Sequence, residues 1–141
     1  MELTRVYPFS ASHRLHVDSL SEEENQRLFG KCNNPYGHGH NYVLHVTVGG
    51  EAAADSGMIV EREAVDRVVN EAVLPRIDRK DMNAAVQEFA DLTPTTENLA
   101  RVIGGWLNAA WPRHFASGEP CLRKICLQET GRNTFELRMG L

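Results

Sequence analysis

The chain has 141 residues, of which 42% are hydrophobic and 24% charged, and its formal net charge is −4. This composition is ordinary for a globular protein of one domain, 1–141, and it excludes disordered and fibrous classes. The negative charge argues against a broad nucleic-acid surface, and no apolar run has the roughly 18–20 residues that a membrane helix needs. Three cysteines without a CxxC pair, and an N-terminus unlike a secretory signal, predict a reduced, cytoplasmic protein.

The predicted strands lie towards the two ends of the chain. Five segments have strand composition, at 4–12, 41–48, 58–60, 122–128 and 134–139, and a Gly-Arg-Asn hairpin signal separates the last two. Two helices are predicted between them, from 61 to about 74 and from 95 to about 111. Each has an apolar stripe at helical spacing and is expected to end at a proline, Pro75 or Pro112.

This order of elements predicts an α+β fold. Short loops allow only consecutive strands to pair, so the sheet should be antiparallel, with four main strands and both helices on one face. A sheet that does not close leaves two unpaired edges, and these favour pairing between subunits.

Three histidines are the best candidates for metal ligands. His38 and His40 stand two positions apart at the start of the second strand, which puts both side chains on one face about 7 Å apart. With His13, at the end of the first strand, they could bind one zinc ion and leave a fourth position open, as in catalytic zinc sites. The HxH pattern alone is weak evidence for a metal site, since strand-end or capping histidines fit it as well, and His45 should point to the opposite face of the strand.

Cys32 and Glu129 are candidates for chemistry of other kinds. Cys32 lies between Lys31 and the histidine pair, where a lysine and a dication would favour its thiolate, so it is a candidate base or nucleophile. Glu129 ends a strand and could accept two parallel N–H bonds from a 2-amino-4-oxo-pyrimidine ring. The alternatives are an incidental loop cysteine and a surface glutamate.

Seven short segments carry the motifs of a known family, in the family's order and through nearly the whole chain. They lie at 9–15 (FSASHRL), 28–35 (LFGKCNNP), 37–42 (GHGHNY), 57–58, 77–78, 94–99 (PTTENL) and 129–130. Together they resemble the 6-pyruvoyl-tetrahydropterin synthase family, which includes the 6-carboxy-tetrahydropterin synthases of queuosine biosynthesis. The resemblance implies the tunnelling fold, in which three subunits close a barrel, two trimers stack into a homo-hexamer, and the active sites lie between subunits.

The resemblance also implies a reaction on 7,8-dihydroneopterin triphosphate. Zinc held by His13, His38 and His40 would bind the side-chain hydroxyls and acidify the adjacent C–H bond, as a redox-inert Lewis acid can. Cys32 would remove the proton, triphosphate would leave, and internal redox shifts would give 6-pyruvoyl-tetrahydropterin. The alternatives are the 6-carboxy branch, which loses more of the side chain, and a homologue that binds zinc and pterin with weak turnover.

The remaining site residues are also implied by the resemblance. Glu129 would anchor the pterin ring, with help from Thr95 and Thr96. In the family an Asp-His pair assists the cysteine in proton transfer, but here Asp78 is followed by Arg79, a possible phosphate partner. Arginine stays protonated and cannot shuttle a proton, so this position departs from the family pattern.

Overall fold

A computed structural model describes residues 1–140, which form a five-stranded sheet with helices packed against it. The strands are β1 (Glu2–His13), β2 (His38–Gly49), β3 (Lys80–Asp81), β4 (Cys121–Gln128) and β5 (Thr134–Arg138). The helices are α1 (Glu22–Phe29), α2 (Arg62–Ala72), α3 (Leu74–Ile77), α4 (Met82–Ala85) and α5 (Thr96–His114), with 3-10 turns at Gly30–Asn33 and Gln87–Ala90. Within residues 1–140, no helix combines the length and the apolar character required to cross a membrane.

The sheet confirms the antiparallel α+β prediction. Its strand order is β3-β1-β2-β4-β5, and every pair is antiparallel except the short β3, which runs parallel to β1. Helices α2 and α5 contribute most of the helical part of the core, with Val68 and Leu107 fully buried beneath the sheet. Alternate residues of β1 and β2, such as Phe9 and Tyr42, face these helices. One face of the sheet is thus built into the core.

Two boundaries differ from prediction because proline is tolerated where it does not break a needed bond. Helix α2 ends at Ala72, slightly before the predicted end near Leu74, and Pro75 lies in the first turn of the short helix α3, where its missing N–H has no helical partner anyway. Pro112 was expected to close α5, yet the helix runs to His114. Its last turn is completed by the bond from the Phe115 N–H to the Trp111 carbonyl, 2.9 Å long.

The predicted strand at 58–60 is wrong. The Met58 carbonyl closes a turn by accepting from the Ala53 N–H at 2.9 Å, and Val60 packs partly buried against the core without joining the sheet. The apolar character of this segment therefore reflects the packing of Val60 against the core and not pairing with a strand of the sheet. The sheet instead gains β3, whose charged residues Lys80 and Asp81 carry no strand signal and pair with β1.

Helix α1 was not predicted, because its sequence is mostly polar and lacks an apolar stripe. A capping box begins it. The Ser21 side chain accepts from the Glu24 N–H at 3.1 Å, and the Glu24 carboxylate accepts from the Ser21 N–H at 3.3 Å. This reciprocal pair was readable in the sequence as a Ser-x-x-Glu signal.

Candidate functional site

The register of β1 against β2 brings the three candidate histidines to one end of the sheet. His13 lies opposite His38, and Ala11 lies opposite His40, so all three histidines project from the same face. Gly37 makes this approach possible. Its φ is +78°, and a Cβ there would stand 2.7 Å from the His13 carbonyl oxygen, closer than a side chain can come.

Four potential metal-binding groups converge at this end. One ligand atom from each of His13, Cys32, His40 and Glu129 lies within 4.8 Å of all the others. The His40 Nε2 atom is central, at 3.2 Å from His13 Nε2, 3.6 Å from Cys32 Sγ and 3.2 Å from a Glu129 carboxylate oxygen. Two imidazoles, a thiol and a carboxylate are the donor types that zinc accepts.

The two histidines of this cluster favour the neutral imidazole form, and His13 directs a nitrogen lone pair into the cluster. His13 is 1% exposed, and its Nδ1 lies 2.7 Å from the Pro94 carbonyl oxygen, which can only accept. The proton of a neutral His13 therefore sits on Nδ1, and its Nε2 lone pair faces the cluster. Burial lowers the pKa of both His13 and His40, which favours the neutral imidazoles that a metal needs. The residues present fit a zinc ion.

His38 stands beside this cluster rather than within it. Its ring meets the His40 ring edge-on, with centroids 4.8 Å apart, and its side chain is half-buried. The cluster therefore contains Cys32 and Glu129 in addition to two histidines, and it does not include the expected third histidine. A ligand role for His38 stays a prediction.

Cys32 reaches the cluster from the 3-10 turn Gly30–Asn33. Burial, and then the nearby Glu129 carboxylate, raise the pKa of the Cys32 thiol. Both influences favour the neutral thiol, and an effect of Lys31 on the thiolate stays a prediction. A dication on the adjacent histidines would act in the opposite direction.

Glu129 is held from the other side by the first turn of α5. The buried Thr96 hydroxyl donates to one oxygen of the Glu129 carboxylate at 2.6 Å, while the other oxygen faces His40. Thr95 has a different place: it is the N-cap of α5, and its hydroxyl accepts from the Asn98 N–H at 3.2 Å. A role for Thr95 in binding a ligand stays a prediction.

Tyr42 is a site residue that the sequence analysis missed. It continues the alternation of His38 and His40 on the same face, and its ring meets the His40 ring edge-on at 5.6 Å between centroids. It is fully buried, and its hydroxyl has no hydrogen-bond partner among residues 1–140. Burial raises its pKa, so it stays neutral. The two-residue spacing was the available signal.

Asp78 and Arg79 lie at the opposite edge of β1 from the cluster. The Asp78 carboxylate accepts from the Ser10 N–H at 3.1 Å, and the Arg79 N–H donates to the Ser10 carbonyl at 2.6 Å. Arg79 also lines an open groove of about 340 Å³. No hydrogen bond or ion pair within the described residues joins either side chain to Cys32, so their catalytic roles stay predictions.

Comparison with known proteins places this fold and site in a class of pterin-related enzymes. A family model described as 6-pyruvoyl tetrahydropterin synthase matches residues 2–139. The chain is 45% identical over 132 residues to the Homo sapiens 6-pyruvoyl tetrahydrobiopterin synthase, covering 94% of this chain and 87% of that one. It is 47% identical over 108 residues to the Poecilia reticulata 6-pyruvoyl tetrahydrobiopterin synthase, covering 77% and 72%.

The solved structures agree with the sequence relatives. The Caenorhabditis elegans 6-pyruvoyl tetrahydropterin synthase superposes with a TM-score of 0.86 at 34% identity, covering 99% of this chain and 96% of that one. The chain belongs to the 6-pyruvoyl tetrahydropterin synthase family. A 6-carboxy-5,6,7,8-tetrahydropterin synthase of Aquifex aeolicus is 26% identical, covering 97% of both chains.

Proposed function

We propose that this protein is a zinc-dependent lyase of the 6-pyruvoyl-tetrahydropterin synthase type, acting on 7,8-dihydroneopterin triphosphate with loss of triphosphate. The observation that carries the proposal is the convergence of Cys32 and Glu129 on His13 and His40, in a chain of this family. Identity of 45–47% to synthases of the pyruvoyl type, against 26% to the carboxy type, supports this branch.

His13, His38 and His40 are the proposed ligands of the zinc ion. When bound, zinc supplies a Lewis acid that stabilises negative charge on substrate oxygens without itself changing oxidation state. The Pro94 carbonyl keeps the His13 Nδ1 proton in place, so that Nε2 stays free to donate. The His38 ring lies beside the His40 ring, with centroids 4.8 Å apart, and this proximity supports His38 as the third ligand.

Cys32 is the proposed general base. Its sulfur lies beside His40 and is partly buried, so it is shielded from bulk solvent yet adjacent to the metal position. It takes a proton from a carbon of the substrate's side chain, and the triphosphate departs. Because the surrounding protein groups raise its pKa, we expect Cys32 to become a base only when the zinc site is loaded.

Glu129 is the proposed anchor for the pterin ring. A carboxylate at a strand end can accept two parallel N–H bonds from the 2-amino-pyrimidine edge, and charge-assisted bonds of this kind are both strong and directional. Thr96 fixes the carboxylate by donating to one of its oxygens. Thr95 and Arg79 are further proposed contacts, to the ring and the triphosphate, and Asp78 is a proposed partner in proton transfer.

The proposed assembly is a cytoplasmic homo-hexamer of two stacked trimers, formed by pairing of the exposed sheet edges. It would bring Asp78 and Arg79 of one subunit towards a neighbour's site. Light scattering at micromolar concentration tests this assembly directly, because a monomer would remove the shared site from the proposal.

The metal assignment is tested by zinc stoichiometry. His13→Ala and His38→Ala should each lose stoichiometric zinc, whereas His45→Ala, on the other face of the same strand, should keep it. One tightly held zinc per chain in His38→Ala would contradict its role as a ligand.

Product analysis tests the reaction and its branch. Pure protein incubated with 7,8-dihydroneopterin triphosphate should release triphosphate and give the 6-pyruvoyl product by mass. The 6-carboxy product would favour the other branch. Stoichiometric pterin binding without turnover would favour a binding homologue, the alternative that Arg79 suggests because arginine cannot shuttle a proton.

A further inference from the structure

Asn33, the residue after Cys32, is a polar side chain buried to 4% exposure. Its Nδ2 donates to the Leu15 carbonyl at 2.7 Å, and its Oδ1 accepts from Gln26 Nε2 at 3.2 Å. Because a carbonyl can only accept, the amide cannot be turned around. The second Nδ2 proton then faces His16 Nδ1 at 3.0 Å, which must act as the acceptor.

These bonds connect the Cys32 segment to the end of β1. The Leu15 N–H donates to the Cys32 carbonyl at 2.7 Å, and the Leu15 carbonyl accepts from the Asn33 side chain. Arg14 adds a bond from Nε to the Asn33 carbonyl at 3.3 Å. Arg14 and Leu15 directly follow His13, so Asn33 joins Cys32 to a histidine of the cluster across two residues of chain.

The turn that carries Cys32 needs such a tether. It is a four-residue 3-10 turn, and short 3-10 turns have poor hydrogen-bond geometry and little stability of their own. No side chain caps this turn at its N-terminus. The Sγ atom nevertheless stands 3.6 Å from His40 Nε2. Its place is therefore set by contacts from outside the turn, and the Asn33 amide makes three of them.

We propose that Asn33 is a positioning residue that holds the Cys32 thiol at the histidine cluster, an inference that rests on the proposed role of Cys32 as the base. It does not touch the reacting atoms. Replacing its amide by a carboxylate places oxygen against the Leu15 carbonyl and removes both donated bonds, with almost no change in shape. The thiol then loses its fixed position while the zinc ligands keep theirs.

The test compares Asn33→Asp with Asn34→Asp. Asn34 is exposed, and its side chain makes no hydrogen bond within residues 1–140, so this control adds the same charge one position further on. Asn33→Asp should keep its zinc and its KM but lose kcat by about a hundredfold, the usual effect of misplacing a reacting group by about 1 Å. Asn34→Asp should resemble the parent.

A second comparison separates positioning from general stability. Asn25 is also fully buried and holds residues 17–21 through four hydrogen bonds, but none of them reaches the Cys32 segment. Asn25→Ala should lower the melting temperature while leaving kcat unchanged well below that temperature. Equal kcat losses in Asn25→Ala and Asn33→Asp would overturn the proposal.

Alkylation of Cys32 provides a readout that does not need turnover. Iodoacetamide labelling of the zinc-loaded proteins, followed by mass analysis of the Cys32 peptide, should be several-fold faster in Asn33→Asp than in Asn34→Asp, because the segment leaves its partly buried position. A parent without turnover would refute the proposed function, and this labelling would still decide the role of Asn33. Equal labelling rates together with an unchanged kcat would refute that role.

A milder variant covers the case in which Asn33→Asp does not fold. Gln26 is exposed and donates only to Asn33 Oδ1 among the described side chains, so Gln26→Leu should leave the fold intact. It should lower kcat and speed Cys32 labelling in the same direction, by less. No change in either quantity would refute the proposal.

Discussion

The bond from Thr96 to Glu129 can be removed with little change of shape. Valine has nearly the size of threonine but lacks the hydroxyl, so Thr96→Val deletes the 2.6 Å bond to the Glu129 carboxylate. Thr96 is only 3% exposed, so water cannot readily replace the lost donor. The carboxylate would keep its neighbour His40 and lose the group that fixes its orientation.

The size of the effect follows from the kind of bond. A hydrogen bond to a charged group contributes about 1.5–3 kcal/mol, roughly twice a neutral one. If the hydroxyl orients Glu129 for the pterin edge, its loss should weaken ring binding by about tenfold to a hundredfold. The melting temperature should fall by about 3–12 °C for a chain of this size.

Thr47→Val is the matched control. Thr47 is also 3% exposed, and its hydroxyl bonds the Thr4 hydroxyl at 2.7 Å, towards the other end of β2 from the histidines. Calorimetric titration with neopterin, which has the ring without the triphosphate, should give parental affinity for Thr47→Val and reduced affinity for Thr96→Val. Equal affinities in the two variants would show that Thr96 stabilises the fold without orienting Glu129.

Three further changes have defined outcomes. Cys32→Ala should retain zinc and pterin binding but lose turnover, whereas Cys126→Ala, on the other sheet face, should retain all three in metal analysis, titration and rate assays. Gly37→Ala should lose stability and zinc together, because a Cβ does not fit at that positive φ, as thermal melts and metal analysis would show. The hydrogen bond from Arg5 holds the pKa of Asp66 below its usual value. This pair therefore stabilises the fold above about pH 4, and the stabilisation is lost as the pH falls further. In urea unfolding, Asp66→Asn should make the stability of the fold less dependent on acid pH.

Much of the site was readable from local patterns. Spacing alone predicted that His38 and His40 share a face, and the register of β1 against β2 shows that they do. The same reasoning placed His45 on the opposite face, where the structure has it opposite Cys126. These predictions succeed because alternation along a strand depends only on local geometry.

The features that the sequence did not predict depend on contacts between segments that are distant along the chain. Nothing in the sequence near Glu129 indicates that its partner is Thr96, 33 positions earlier, since that bond exists only once α5 packs beside β4. Strand β3 forms because residues after α3 return to the free edge of β1, and its composition, Lys80 and Asp81, argues against a strand. Tertiary pairing outweighs local preference at both places.

Arg79 is unusual in two respects: its side chain departs from the family pattern, and its backbone has a left-handed conformation. Its φ is +61°, a left-handed conformation that arginine seldom adopts and that histidine adopts more readily. Its N–H is bonded to Ser10, which fixes the backbone whichever side chain is present. Arg79→His should therefore fold at least as well as the parent.

The functional effect of this change should be large if position 79 serves in proton transfer. Histidine titrates near pH 6.5 and can return a proton that arginine cannot, and a positioned acid–base group accelerates turnover by about 10²–10⁴-fold. Because the parent must already have some route for the proton, we expect Arg79→His to raise kcat by about one to three orders of magnitude and to add a pH dependence near neutrality. Lys80→His, one position along, makes the same change of charge and should do neither. An unchanged or lower rate in Arg79→His, with the parental pH profile, would exclude position 79 from proton transfer and leave a water molecule, Asp78 or another histidine to carry the proton.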